Sequence, residues 1–360
     1  MTGDEGDLLE ASAPPFSRLL GGGRQRELGV SEALQPDADM AREALASRLV
    51  GLAPPGVDRA RLTRDRGAAV NAAWALAREH HAANGQPTRT IAIARAGADH
   101  GTDAVPFQRI SNTKVHRSGL SEWRLGQSRL AELENTMQAA GAANIALLML
   151  EPIQHAGGCI YAPQDYWAGV REMCDRFGIL LVVDEAVTGL GRLGAWYATD
   201  ELVVRPDLIV LGESLTSAYA PLGAVLLHAN VRAPVGAHED VPPAAAIALR
   251  NLDALERNDV LGDVRRLTAY LAARLGDSIV PLANVGDVRG AGFLWAVELA
   301  PRAATADALR TALRAAGLRA HVEAVEDHLL VQLAPPLVSG PAEIDALVER
   351  LERALGSLID

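Results

Sequence analysis

Acidic side chains stand at the ends of the most apolar runs of the chain: Glu151 closes ALLMLE at 146–151, and Asp184 with Glu185 closes ILLVVDE at 179–185. Carboxylates gathered in a partly buried cleft cannot all ionise cheaply, so at least one takes a raised pKa. Such a group suits general acid or base work, or the binding of a cationic amine. Plainer roles compete: Asp184 caps the loop after its strand, Glu185 bonds backbone, and Glu151 pairs with an arginine. No HxxxH or DxD spacing points to a metal, and Cys159 and Cys174 lie outside any CxxC or Cys/His pattern, so no metal is expected. GLGRLG at 189–194 has the glycine spacing of a dinucleotide fingerprint but not the helix that must follow, so it reads as a loop. His116, His228, His238, His321 and His328 are isolated, and His80 with His81 closes a helix. Lys114 is the only lysine among 34 basic residues, and it reads as a solvated loop residue.

The elements that position these groups alternate along the chain. Apolar, β-branched runs at 90–96, 146–151, 179–184, 208–211 and 223–228 read as buried strands. Helical patterns separate them at 39–52, 68–83, 126–140 and 164–177, followed by longer ones at 243–257 and 259–274. That alternation predicts an α/β protein with a mostly parallel sheet flanked by helices. After about 280 the texture changes to short strands with amphipathic helices at 303–316 and 341–356. The expected division is an irregular N-terminal arm over 1–38, a large α/β domain over 39–275 and a smaller α+β domain over 276–360.

The stretch from Glu151 to Ala224 adds an ordered set of motifs: Glu-Pro at a strand end, Asp184-Glu185 after a buried strand, then TGLGRLG, Pro206-Asp207 and Pro221-Leu222-Gly223. In this it resembles the class III aminotransferases, pyridoxal-phosphate enzymes of fold type I. ADHG at 98–101, DVRGAGFLWAVEL at 287–299 and APPLV at 334–338 extend the likeness from about residue 40 to the end. The resemblance implies that Asp184 partners the cofactor's pyridine nitrogen, and it puts the family's imine lysine at Glu213. A carboxylate cannot form an imine. The turn that would bind phosphate falls on Asp65-Arg66-Gly67-Ala68-Ala69, with its hydroxyls gone, and Asp99 takes the place of a stacking aromatic ring. Arg66 is there a candidate for holding an anion, against the plainer reading of a surface arginine at a helix start.

Composition narrows the partners. Forty-five acids against 34 bases give a net charge of −11 without a basic block, so nucleic acid is not expected. No apolar run approaches the roughly 20 residues of a membrane span, and the acidic start has no signal-like apolar segment, so a cytoplasmic protein is expected. The reading that follows is an enzyme repurposed from the aminotransferase fold. It would work without pyridoxal phosphate or any other cofactor, would not be a transaminase, and would use an acidic pocket on a small amine- or carbonyl-bearing metabolite. Glu213, Asp184 and His100 are its expected catalytic residues, and Asp99, Glu151, Glu185 and Arg66 its expected substrate contacts. The alternative is a non-catalytic pseudo-aminotransferase, either the inactive partner of a related subunit or a ligand-binding protein. A homodimer is expected, with a heterodimer alongside a related pyridoxal-phosphate subunit as the other assembly.

Overall fold

A computed structural model describes residues 9–10 and 38–359, apart from 117, 164, 203 and 240, so the expected arm over 1–38 lies almost wholly outside the described residues. From the N-terminal side the elements are β1 (Leu9–Glu10), α1 (Ala38–Leu52), β2 (Val57–Thr63), α2 (Arg66–Ala83), β3 (Ile91–Arg95), β4 (Phe107–Ile110), α3 (Glu122–Ala139) and β5 (Ile145–Leu150). The hairpin β6 (Ile153–Gln154) and β7 (Ile160–Tyr161) comes next, then α4 (Tyr166–Phe177), β8 (Leu180–Asp184), α5 (Ala198–Leu202), β9 (Leu208–Leu211), β10 (Gly223–His228), α6 (Pro242–Arg257) and α7 (Val260–Ser278). Beyond them lie β11 (Val285–Ala291), β12 (Leu294–Leu299), α8 (Ala306–Ala315), β13 (Leu318–Arg319), β14 (His321–Val325), β15 (His328–Leu333) and α9 (Pro341–Gly356).

Seven strands form one sheet in the order β2-β10-β9-β8-β5-β3-β4. Strands β4, β3, β5, β8 and β9 run parallel, and β10 lies antiparallel to both β9 and β2. Helices cover both faces, so every residue of β5, β8 and β9 is buried, and these strands read as unbroken apolar runs. The parallel strands send their C-terminal ends to one edge of the sheet, where a doubly wound fold leaves its crevice. Glu151 and Asp184 stand there for that reason.

The texture change after 280 corresponds to a second sheet, antiparallel in the order β11-β12-β15-β14, with α8 and α9 packed on it. Leu309 and Leu313 of α8 and Ile344, Leu347 and Leu351 of α9 bury into the same core as the β2-β10-β9 end of the large sheet. The architecture is that of a fold type I aminotransferase-like α/β protein. Among the described residues no helix is long and apolar enough to cross a membrane.

Candidate active site

Asp184 ends β8 with its carboxylate fully covered. One oxygen accepts from the backbone N–H of Ala186 at 3.1 Å; the other accepts from Arg66 Nη2 at 2.9 Å and from His100 Nδ1 at 2.7 Å. Burial alone would raise its pKa, but the Arg66 charge and the His100 bond reverse the shift and hold the carboxyl well below the usual carboxylate range. Arg66 answers in kind. Burial would depress the guanidinium, and Asp184 followed by Glu151 overrides that and raises its pKa.

Local sequence explains how Arg66 reaches this point. Asp65 caps α2 by accepting from the Ala68 N–H at 2.7 Å, and Arg66 is the first helical residue. The turn is pressed against its neighbours: a Cβ at Gly67 would strike the Gly101 carbonyl, and one at Gly223 would strike the Asp65 carbonyl. The Arg66 side chain therefore runs inward, only 11% exposed, and Nη2 also bonds the Asp99 carbonyl. The plainer reading of a surface arginine is corrected, because a glycine-lined turn lets the helix start sit against the strand ends.

Glu151, one residue past β5, is 3% exposed and lies 4.0 Å from Arg66 Nη2. His155 Nδ1 meets its Oε1 at 2.9 Å. The centre is thus an ordered row, His100–Asp184–Arg66–Glu151–His155. Three buried polar atoms in it have no hydrogen-bond partner among the described residues: Arg66 Nε, His100 Nε2 and Glu151 Oε2. Unpaired buried polar atoms are costly, and three of the sixteen found among the described residues fall in this one row.

The remaining expected residues fall elsewhere. Asp99 is exposed, and its carboxylate accepts from the Gly101 N–H at 2.8 Å within its own loop. Glu185 turns away and accepts from the N–H groups of Ala198 at 2.6 Å and Thr199 at 2.9 Å, fixing the start of α5. Burial nevertheless pushes its carboxyl up to about 7, against the pull of those two donors. Glu213 opens a 3-10 turn over 213–216 and is half-buried. Its neighbour Gly212 packs against Ala186 and the Arg66 stem, which places Glu213 beside the row but gives its carboxylate no bond within it.

His155 was not singled out from sequence, although its place four residues after Glu151 in EPIQH was a readable signal. Lys114 is not a solvated loop residue: its side chain is 14% exposed, and Nζ lies 2.7 Å from the buried Glu298 carboxylate, which Arg289 also holds at 2.8 Å. Both cysteines are buried, and desolvation pushes each thiol up to about 12. Among the described residues no cluster of histidine, cysteine and carboxylate has the geometry of a metal site.

Comparison with known proteins gives the family. The model of the aminotransferase class-III family matches residues 38–355. A probable aminotransferase of Mycobacterium tuberculosis is 33% identical, with 86% of this chain and 76% of the relative aligned. A putrescine–pyruvate aminotransferase of Pseudomonas aeruginosa is 27% identical over the same shares, 86% and 76%. Among solved structures, one from a directed evolution of transaminases by ancestral reconstruction superposes with a TM-score of 0.89 at 26% identity, covering 98% of this chain and 89% of that one. A thermostable (S)-enantioselective omega-transaminase from Thermomicrobium roseum gives 0.84 at 28% identity, covering 96% and 87%.

Proposed function

The chain belongs to the class III aminotransferase family, and from that membership we propose that it works in amino-group transfer, taking a small amine or the matching oxo acid over Asp184. This corrects the expectation of a pseudo-aminotransferase or of a cofactor-independent enzyme that is not a transaminase. The relatives and structural neighbours are aminotransferases by name, and the family is the pyridoxal-phosphate family of the resemblance.

The observation that supports the reading most is the buried row around Asp184 with its three unpaired polar atoms. Glu151 Oε2 and His100 Nε2, whose ring donates from Nδ1 to Asp184, are acceptors suited to an ammonium, while Arg66 Nε is a donor suited to the oxygen of a carbonyl or carboxylate; an amine and an oxo acid need both kinds. The low-dielectric surroundings strengthen each of these contacts.

An imine-linked pyridoxal phosphate does not fit the residues present. Glu213 offers no amine, Arg66 and His100 already hold one oxygen of Asp184, and Asp65 occupies the Ala68 N–H at the helix start. No chemical step is therefore derived through that group. The proposal includes a homodimer and the division near residue 276 into a large and a small domain.

The test is amino transfer to pyruvate from putrescine, with pyridoxal phosphate added and alanine measured. Alanine above the enzyme-free rate, lost in Asp184→Asn, supports the reading. No alanine from putrescine, or from taurine as a second donor, overturns it.

A further inference from the structure

One cavity shares no lining residue with the Asp184 row, although Pro152 and Ile153, which follow Glu151 in the chain, line it. It holds about 520 Å³ among α4, α5, α7, the β6–β7 hairpin and the turn joining β11 to β12, within the roughly 300–1,000 Å³ range of small-molecule sites. Its walls are apolar, with Trp167, Leu193, Leu202 and Ala291 prominent. Two charges interrupt them, Arg265 on α7 and Glu201 on α5.

The state of those polar groups gives the cavity a chemistry. Arg265 bonds the Gly194 carbonyl, and neither it nor Glu201 has a partner of opposite charge among the described residues; both side chains are exposed to solvent. The two lie on one cavity yet do not form an ion pair. Trp167 is 5% exposed, and its indole Nε1 is buried without an acceptor. The cavity thus combines an aromatic wall with two solvent-exposed side chains of opposite charge.

We propose that this cavity is a binding site for a free amino acid with a bulky apolar side chain. The ligand carboxylate meets Arg265, its ammonium meets Glu201, and its side chain lies on the apolar wall beside Trp167. A plain hydrocarbon would engage neither charge, and a monoanion would face Glu201. A zwitterion matches both, and an apolar body matches the rest. The site stands independently of the reading of the Asp184 row, since neither its residues nor its test uses amino transfer.

The test is calorimetric titration of the full chain with L-phenylalanine, alongside phenethylamine, which lacks the carboxylate, and 3-phenylpropionate, which lacks the ammonium. L-phenylalanine is expected to bind saturably, and each analogue at least about tenfold more weakly. Arg265→Leu, which removes the charge, and Thr268→Trp, which fills the space, are each expected to weaken L-phenylalanine by about tenfold or more. Asp184→Asn is expected to leave it unchanged. Absence of saturable binding by L-phenylalanine and L-leucine at millimolar concentration overturns the proposal. So does binding that survives both cavity variants, or that disappears in Asp184→Asn, because the ligand would then be in the other site.

Discussion

Arg66 Nη2 lies 2.9 Å from Asp184 Oδ2, joining the first turn of α2 to the end of β8 across 118 residues of sequence. The carboxylate is wholly covered and the guanidinium nearly so. Desolvating two charges is expensive, and their attraction compensates only while both are present. Arg66→Ala therefore leaves the buried Asp184 carboxylate with only the hydrogen bonds from His100 and the Ala186 N–H, and a loss of about 3–5 kcal/mol in urea unfolding is expected. Asp184→Ala combined with Arg66→Ala is expected to cost less than the sum of the single losses. A single loss below about 1 kcal/mol would mean that the pair behaves as an exposed one.

The same pair sets an acid limit. The folded-state pKa of Asp184 is depressed below its ordinary value of about 3.8, so its contribution to stability is fully present above that value and is lost as pH falls toward the depressed one. In Arg66→Ala the depression shrinks and the acid limb moves toward neutral pH. Chemical denaturation followed between about pH 2 and 5 reads this directly; an acid limb unchanged by the substitution would contradict it.

Glu185 behaves in the opposite sense. Its pKa rises from 4.5 to about 7 on burial, so the contribution of this group is present below 4.5 and is lost as pH climbs through 7. The full loss corresponds to about 3 kcal/mol, and a decline across that window is expected in wild type. Glu185→Gln lowers overall stability, because an amide cannot accept from both Ala198 and Thr199, but its stability is expected to be flat over the same window. An equal slope in both proteins would remove Glu185 as the cause.

Borohydride treatment after incubation with pyridoxal phosphate is expected to leave no cofactor on the peptide spanning 208–224, which includes Glu213 and contains no lysine. Lys114 is the one side-chain amine, and Glu298 holds it at 2.7 Å with 14% of its side chain exposed. Labelling there is expected to stay far below one group per chain by mass spectrometry. Stoichiometric labelling of Lys114 would show that the Glu298 contact does not restrain it.

The strands that position the site were legible because β5, β8 and β9 are covered on both faces and so read as continuous apolar runs. Strand β2 was not, since it is an edge strand that carries Asp58, Arg59 and Arg61 and whose burial is partial. Four-residue β4 at the other edge, with exposed Gln108 and Arg109, lacked a signal for the same reason. Asp184, Glu151 and His100 were named from sequence and meet in the row. The inward turn of Arg66 was hidden because it depends on close approaches at Gly67, Gly101 and Gly223, which are remote in sequence. Asp99 and Glu185 sit beside named residues in the chain, but their carboxylates bond their own loop or the start of a helix, and residue type alone does not reveal that.

The account rests on the claim that the row around Asp184 is where the substrate amine is held, and titration of putrescine into wild type, Asp184→Asn and Glu151→Gln tests it most directly. Saturable binding to wild type, weakened about tenfold or more in both variants while their folded spectra persist, is the predicted result. Putrescine binding that is equal in all three proteins, or absent from wild type at millimolar concentration, would contradict it.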